Sequence, residues 1–108
     1  MGLRHLPVDE PRRLGDLIEN RPGQVSSMGL ASGGALDMTL LAFDGLESVS
    51  EEGYLGDTLY LVVDGTMRVV MDGRSLVLGA GEVLMVPSGT LHAVEGVSDF
   101  KVLQITVP

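Results

Sequence analysis

The residues able to do chemistry are few, and one histidine stands out among them. The 108-residue chain contains two histidines, His5 and His92, and no cysteine. Without thiolates there are no disulfides, no Fe–S clusters, no cysteine-ligated zinc and no cysteine nucleophile. Imidazole is therefore the versatile group, as a base near neutral pH or as a metal ligand. His92 ends the run Gly81-Glu82-Val83-Leu84-Met85-Val86-Pro87-Ser88-Gly89-Thr90-Leu91-His92. Gly81 opens a strand, Pro87 and Gly89 build a turn, and the returning chain aims His92 inward. His5 lies in the polar N-terminal segment, far from that turn in sequence. A 2-His-1-carboxylate iron site needs two imidazoles on one wall, and this sequence offers one.

Other polar groups are candidates to join His92. Gln104 shares a strand face with Phe100 and Val102, which makes it a polar group in an apolar wall needing a partner: His92, water or a ligand. Tyr60 is expected either to line the same space or simply to pack. The apolar walls are assigned to Met38, Leu40, Tyr60, Val62 and Met85. Each has a plainer alternative. His92 as an interior barrel histidine, Glu51 and Glu52 as solvated loop residues within Ser48–Glu52, and the six methionines as adaptable filler all fit the same sequence.

The elements that must position these groups are read from pattern. Residues 1–23 form an N-terminal segment with one expected short helix: Asp9 caps it, Pro11 suits its first turn, and Leu14, Leu17 and Ile18 recur at helical spacing. From residue 24 to 108 short β-prone runs alternate with turn signals. The expected strands are 24–31, 36–43, 58–64, 66–71, 75–78, 83–86, 91–95 and 100–107. Asp64-Gly65 and Asp72-Gly73 each read as tight hairpins, because Asp-Gly accepts positive φ at both central positions. Many strands at short spacing point to an all-β sandwich or barrel. Fifteen glycines suit a chain that turns so often.

The Gly81–His92 run resembles the second motif of the cupin family, G-x5-P-x-G-x2-H, at every fixed position. The run Thr58–Gly65 resembles the end of the family's first motif, so the likeness extends over about residues 36–107. It implies a double-stranded β-helix, or jelly-roll, barrel that is commonly dimeric. It also implies a divalent-metal site built from two His and one Glu of the first motif and one His of the second. Here the Glu position falls on Thr58. The His-x-His pair falls on Glu52 and Tyr54, or on Glu51 and Gly53 if the loop is longer. Only His92 keeps the expected type, so no tightly bound metal and no other cofactor is expected. Any metal present would rest on His92, Glu52 and Tyr54.

Net charge of −8 repels phosphate backbones and anionic lipid, and 4% aromatic content leaves little for base stacking. Neither nucleic acid nor membrane is an expected partner. The polar start at Met1 lacks a signal core and no apolar run is long enough to span a bilayer, so a cytoplasmic protein is expected. Along Thr58–Val63 both faces are apolar or nearly so: Leu59, Leu61 and Val63 back onto Thr58, Tyr60 and Val62. So short a chain has little with which to cover both, and a homodimer is expected. Three functions follow. The first is a barrel binding a small molecule in a pocket of His92, Gln104, Tyr60, Val62, Met38, Leu40, Met85, Glu52, Tyr54 and Thr58. The second is a cupin-type enzyme of the metal-dependent dioxygenase, isomerase or decarboxylase classes, with a variant ligand set or with His92 as base. The third is a structural or regulatory dimer with a vestigial pocket. The first is the reading preferred.

Overall fold

The computed structural model describes residues 2–108. Seven strands, β1 (Val25–Ala31), β2 (Asp37–Phe43), β3 (Ser48–Glu52), β4 (Asp57–Met71), β5 (Arg74–Gly79), β6 (Val83–Val86) and β7 (His92–Val107), form one antiparallel sheet. Its order is β1-β2-β7-β4-β5, with β3 added to β7 and β6 to β4. The long strands β4 and β7 pair along most of their length and hold the sheet together. One end of β7 pairs with β3 and the other with β2, while β4 divides its free edge between β6 and β5.

The barrel closes because β4 and β7 bend. Register slips between Val62 and Asp64 and between Gly65 and Met67 mark two bulges, which increase twist and turn a strand. This corrects the expectation for Asp64-Gly65: the dipeptide makes no hairpin, and the chain runs through it as one 15-residue strand. Gly65 is needed there for two reasons. Its φ is +75°, and a Cβ would press into the Asp99 carbonyl and come within 2.8 Å of the Phe100 Cα. Asp72-Gly73, with φ of 52° and 71°, is the expected two-residue hairpin, joining Met71 to Arg74. Likewise 91–95 and 100–107 are two halves of β7 rather than separate strands. Ser48–Glu52, read as a solvated loop, is strand β3; its residues are mostly exposed, but its backbone completes the ladder beside His92.

The inner face carries the main core, with Phe43, Tyr60, Val62, Met67, Val69, Phe100 and Val102 at its centre. Phe43 and Phe100 stack with centroids 4.5 Å apart within it. A second cluster lies outside the sheet, where Ile18, Leu14, Leu17 and Leu6 pack on Leu30, Leu40, Val63 and Leu103. The N-terminal segment is therefore part of the cover that the double-sided strands require. The expected helix is only a 3₁₀ turn, Leu14–Leu17, with no side-chain cap, and Ile18 is already extended. Gly15 inside the turn and Pro22 just beyond leave no length for a helical nucleus. Tertiary bonds fix the segment instead. Lys101 Nζ donates to the Gly15 carbonyl at 2.6 Å, and Asn20 Nδ2 donates to the carbonyls of Phe43 (2.9 Å) and Phe100 (3.2 Å).

Candidate functional site

Between the stacked phenylalanines and the opposite mouth, the barrel holds a cavity of about 240 Å³. Strand parity decides what lines it. On β2 the residues opposite Val102 and Gln104 are Leu41 and Thr39, so Leu41 and Phe43 point inward. On β7, Val94, Val102 and Gln104 share that face, and Val49 reaches in from β3. The polar end comes from Glu52, Tyr54, Tyr60 and Gln104. Val25, at the start of β1, completes the wall.

His92 stands one layer behind Tyr60. It is 3% exposed, and the Tyr60 hydroxyl lies 2.7 Å from its Nε2. Its Nδ1 lies 3.0 Å from the Thr90 carbonyl, which can only accept. The Nδ1–H therefore donates to Thr90, and in the neutral ring Nε2 accepts from the phenol. Burial, reinforced by negative charge on Tyr54 and Glu52, raises the Tyr60 pKa above its ordinary value of 10.0, which keeps the phenol a donor. The rings of Tyr54 and Tyr60 both meet the imidazole edge to face, with centroids 5.8 and 5.7 Å away. Glu52 is the cross-strand neighbour of His92, yet its Oε2 is bonded by the Tyr54 hydroxyl at 2.6 Å. The Tyr54 pKa is raised as well, first by burial and then by the Glu52 bond and charge, with the Gln104 amide pulling slightly the other way.

Of the residues named from sequence, Glu52, Tyr54, Tyr60 and Gln104 meet at the cavity. Val62 is buried in the inner core, and Thr58 is buried on the same face with its hydroxyl 3.0 Å from that of Thr106. Six assignments to the lining are corrected: His92, Val62 and Thr58 are buried but do not line the cavity, and the other three face outward. Met38 and Leu40 lie on the outer face against the N-terminal segment, and Met85 points outward, 55% exposed. Residues 38–43 are apolar at nearly every position, so alternation could not reveal the parity; pairing with β7 fixes it one residue over. Leu41, Phe43, Val49 and Val94 were missed for that reason and because β3 was not read as a strand. The choice between Glu51 and Glu52 is resolved by register, which sets Glu52 opposite His92.

The cupin family model, described as a cupin domain, matches residues 55–107. A crystal structure of a cupin superfamily protein from Desulfitobacterium hafniense is 44% identical and superposes with a TM-score of 0.96, covering 99% of this chain and 98% of its own. The chain is a cupin. A cupin 2 conserved barrel domain protein from Leptotrichia buccalis shares 32% identity at a TM-score of 0.85, covering 88% of this chain and 46% of that one. A conserved protein of unknown function from Streptococcus pyogenes has the same fold at 19% identity, with a TM-score of 0.93 and 99% and 94% coverage. No curated protein sequence matches the chain.

Many cupins hold a divalent metal, and the residues of this one do not fit it. The metal would need free lone pairs converging on one point. The His92 Nε2 lone pair is taken by Tyr60, its Nδ1 faces a carbonyl, and one Glu52 oxygen is bonded by Tyr54. The second imidazole is elsewhere: His5 is exposed, with Nδ1 2.8 Å from the Gly29 carbonyl on β1. Among the described residues no group of three or more His, Asp or Glu stands close enough to hold a metal ion. No described helix is long and apolar enough to cross a membrane.

Proposed function

We propose that this cupin binds a small molecule inside its barrel and does so without a tightly held metal. The observation that carries the reading is the cavity open at its polar end, apolar along Leu41, Phe43, Val49, Val94 and Val102. A binding site for a small organic molecule is built this way, with a few oriented polar groups on an apolar wall. At about 240 Å³ it suits a body of one ring plus a few atoms, since about 150 Å³ accommodates benzene. Glu52, Tyr54 and Gln104 orient the guest, and the Tyr60–His92 pair holds the wall behind them. An enzymatic reading with His92 as base has less support, because both ring nitrogens are engaged and the ring is not part of the cavity lining.

The test is calorimetry with one-ring probes on the parent protein and on Val49→Phe. Val49 is half-buried at the cavity wall, so the larger ring fills the space at modest strain. Binding by the parent that Val49→Phe abolishes is expected. Equal binding by both proteins would place the guest elsewhere.

We also propose that a second copy of the chain covers the outer face left bare by the N-terminal segment. Leu59 and Leu61 of β4, Val83 and Met85 of β6, and Ile105 of β7 adjoin there in register. Val83 is 61% exposed, and none of the five is charged. A uniformly apolar face is self-complementary, as a two-fold interface requires. The acidic remainder of the surface disfavours other orientations.

A further inference from the structure

The polar end of the cavity is unbalanced in charge and in hydrogen bonding. Its lining contains one formal charge, the Glu52 carboxylate, and no lysine or arginine. The site's own bonds consume its hydroxyl hydrogens, since Tyr54 donates to Glu52 and Tyr60 donates to His92. Acceptors are left over: the second Glu52 oxygen, a lone pair on the Tyr60 oxygen, and the Gln104 carbonyl. The only other donor group is the Gln104 amide, which already interacts with the Tyr54 oxygen. A carboxylate guest would set two negative charges together without a cation between them. An ammonium group would find a counter-charge, two further acceptors and the aromatic rings of Tyr54 and Tyr60 at the same end.

We propose that the ligand is a small organic amine, bound as its ammonium ion, with the charged head at Glu52 and an apolar body of about one ring against Leu41, Val94 and Val102. This rests on the reading of the cavity as a ligand site and adds the chemical class. The competing chemistry is an anion. Arg4 lines an outer groove that shares Tyr54 and Gln104 with the cavity, and its guanidinium lies over Gly29, where a Cβ would approach it to 3.3 Å. Arg4 is not part of the cavity lining itself. It therefore offers a carboxylate a place at the mouth and none at the polar end inside.

Three probes of one shape separate these outcomes: benzylamine, benzyl alcohol and benzoate, titrated by calorimetry at neutral pH. The parent protein is expected to bind benzylamine about tenfold more tightly than benzyl alcohol, with benzoate weakest. Glu52 is solvent-exposed, so Glu52→Gln keeps the fold. That variant should lose about tenfold in affinity for benzylamine and stay within about twofold for benzyl alcohol. Benzoate binding as tightly as benzylamine, or a Glu52→Gln protein that retains full benzylamine affinity, would overturn the amine class and leave the ligand cavity standing. If Arg4→Gln then removes the benzoate binding, the anion at the mouth is the correct chemistry. If the parent binds none of the three, the amine class and the ligand-site reading fail together.

Discussion

Replacing Tyr60 with Phe removes one oxygen from the structure's most enclosed polar contact. The ring stays, so the packing of a side chain only 2% exposed is kept. What changes is that His92 Nε2 loses its partner at 2.7 Å, in a residue 3% exposed. Leaving a buried acceptor unpaired costs about 1–3 kcal/mol, more than the net value of the bond itself. A water entering from the adjoining cavity would offset part of that and bring the loss to the lower end. At about 4 °C per kcal/mol for a chain of this size, Tm should fall by about 4–12 °C. Urea denaturation gives the same quantity without the thermal baseline, and an unchanged m-value would show that the unfolded state is unaffected. A double-mutant cycle with His92→Leu should return a coupling of about 1 kcal/mol or more. If Tyr60→Phe stays within about 0.5 kcal/mol of the parent, the phenol–imidazole bond does not hold the wall and the assignment of Nε2 as acceptor is wrong.

Other consequences are as specific. The folded-state pKa values of Tyr60 and Tyr54 are raised above 10.0, so the folded protein holds those protons more tightly than the unfolded chain. Their contribution is complete below about pH 10 and is lost as pH rises above it, and stability measured by urea at pH 9 and 11 should fall less in Tyr60→Phe than in the parent. Gly65→Ala should fail to fold or lose about 4 kcal/mol or more, because both the positive φ and the contact with Asp99 and Phe100 oppose a Cβ; Gly34→Ala, in open space, is the neutral control. Leu61→Glu should convert a dimer to monomer in light scattering, and a monomeric parent at micromolar concentration would refute the two-fold face. Protein purified without chelator should carry well under one transition metal per chain by elemental analysis; a stoichiometric metal surviving dialysis would contradict the donor accounting at His92.

Much of the barrel was legible in the sequence because turn chemistry and strand pattern agree there. Asp72-Gly73 turned as its residues demand, Val83–Val86 emerged with its expected ends, and the Gly81–His92 run delivered an inward histidine. Asp64-Gly65 misled because the same backbone freedom that makes a hairpin also makes a bulge, and only the close approach of Asp99 and Phe100 distinguishes them. The spacing of Leu14, Leu17 and Ile18 suits a helix, but Gly15 and the extended Ile18 leave only a 3₁₀ turn. Those side chains do meet one apolar face, but from that single turn at Leu14–Leu17 and extended backbone at Ile18. At the site, Glu52 and Tyr54 could be named in advance because the cupin His-x-His position falls on them, and Tyr60 and Gln104 because they are an aromatic and a polar group on otherwise apolar strands. The apolar wall could not, since Met38–Phe43 carries no alternation and its inward parity is set by pairing with Val102 and Gln104 across the sheet.

The cavity as a ligand site is tested most directly by intermolecular NOEs between a bound one-ring probe and methyl-labelled protein. Cross-peaks from the probe ring to the methyls of Leu41, Val49, Val94 and Val102 are expected, with none to Val83 or Met85 on the outer face. Cross-peaks confined to outer-face methyls, or none at saturating probe, would contradict it.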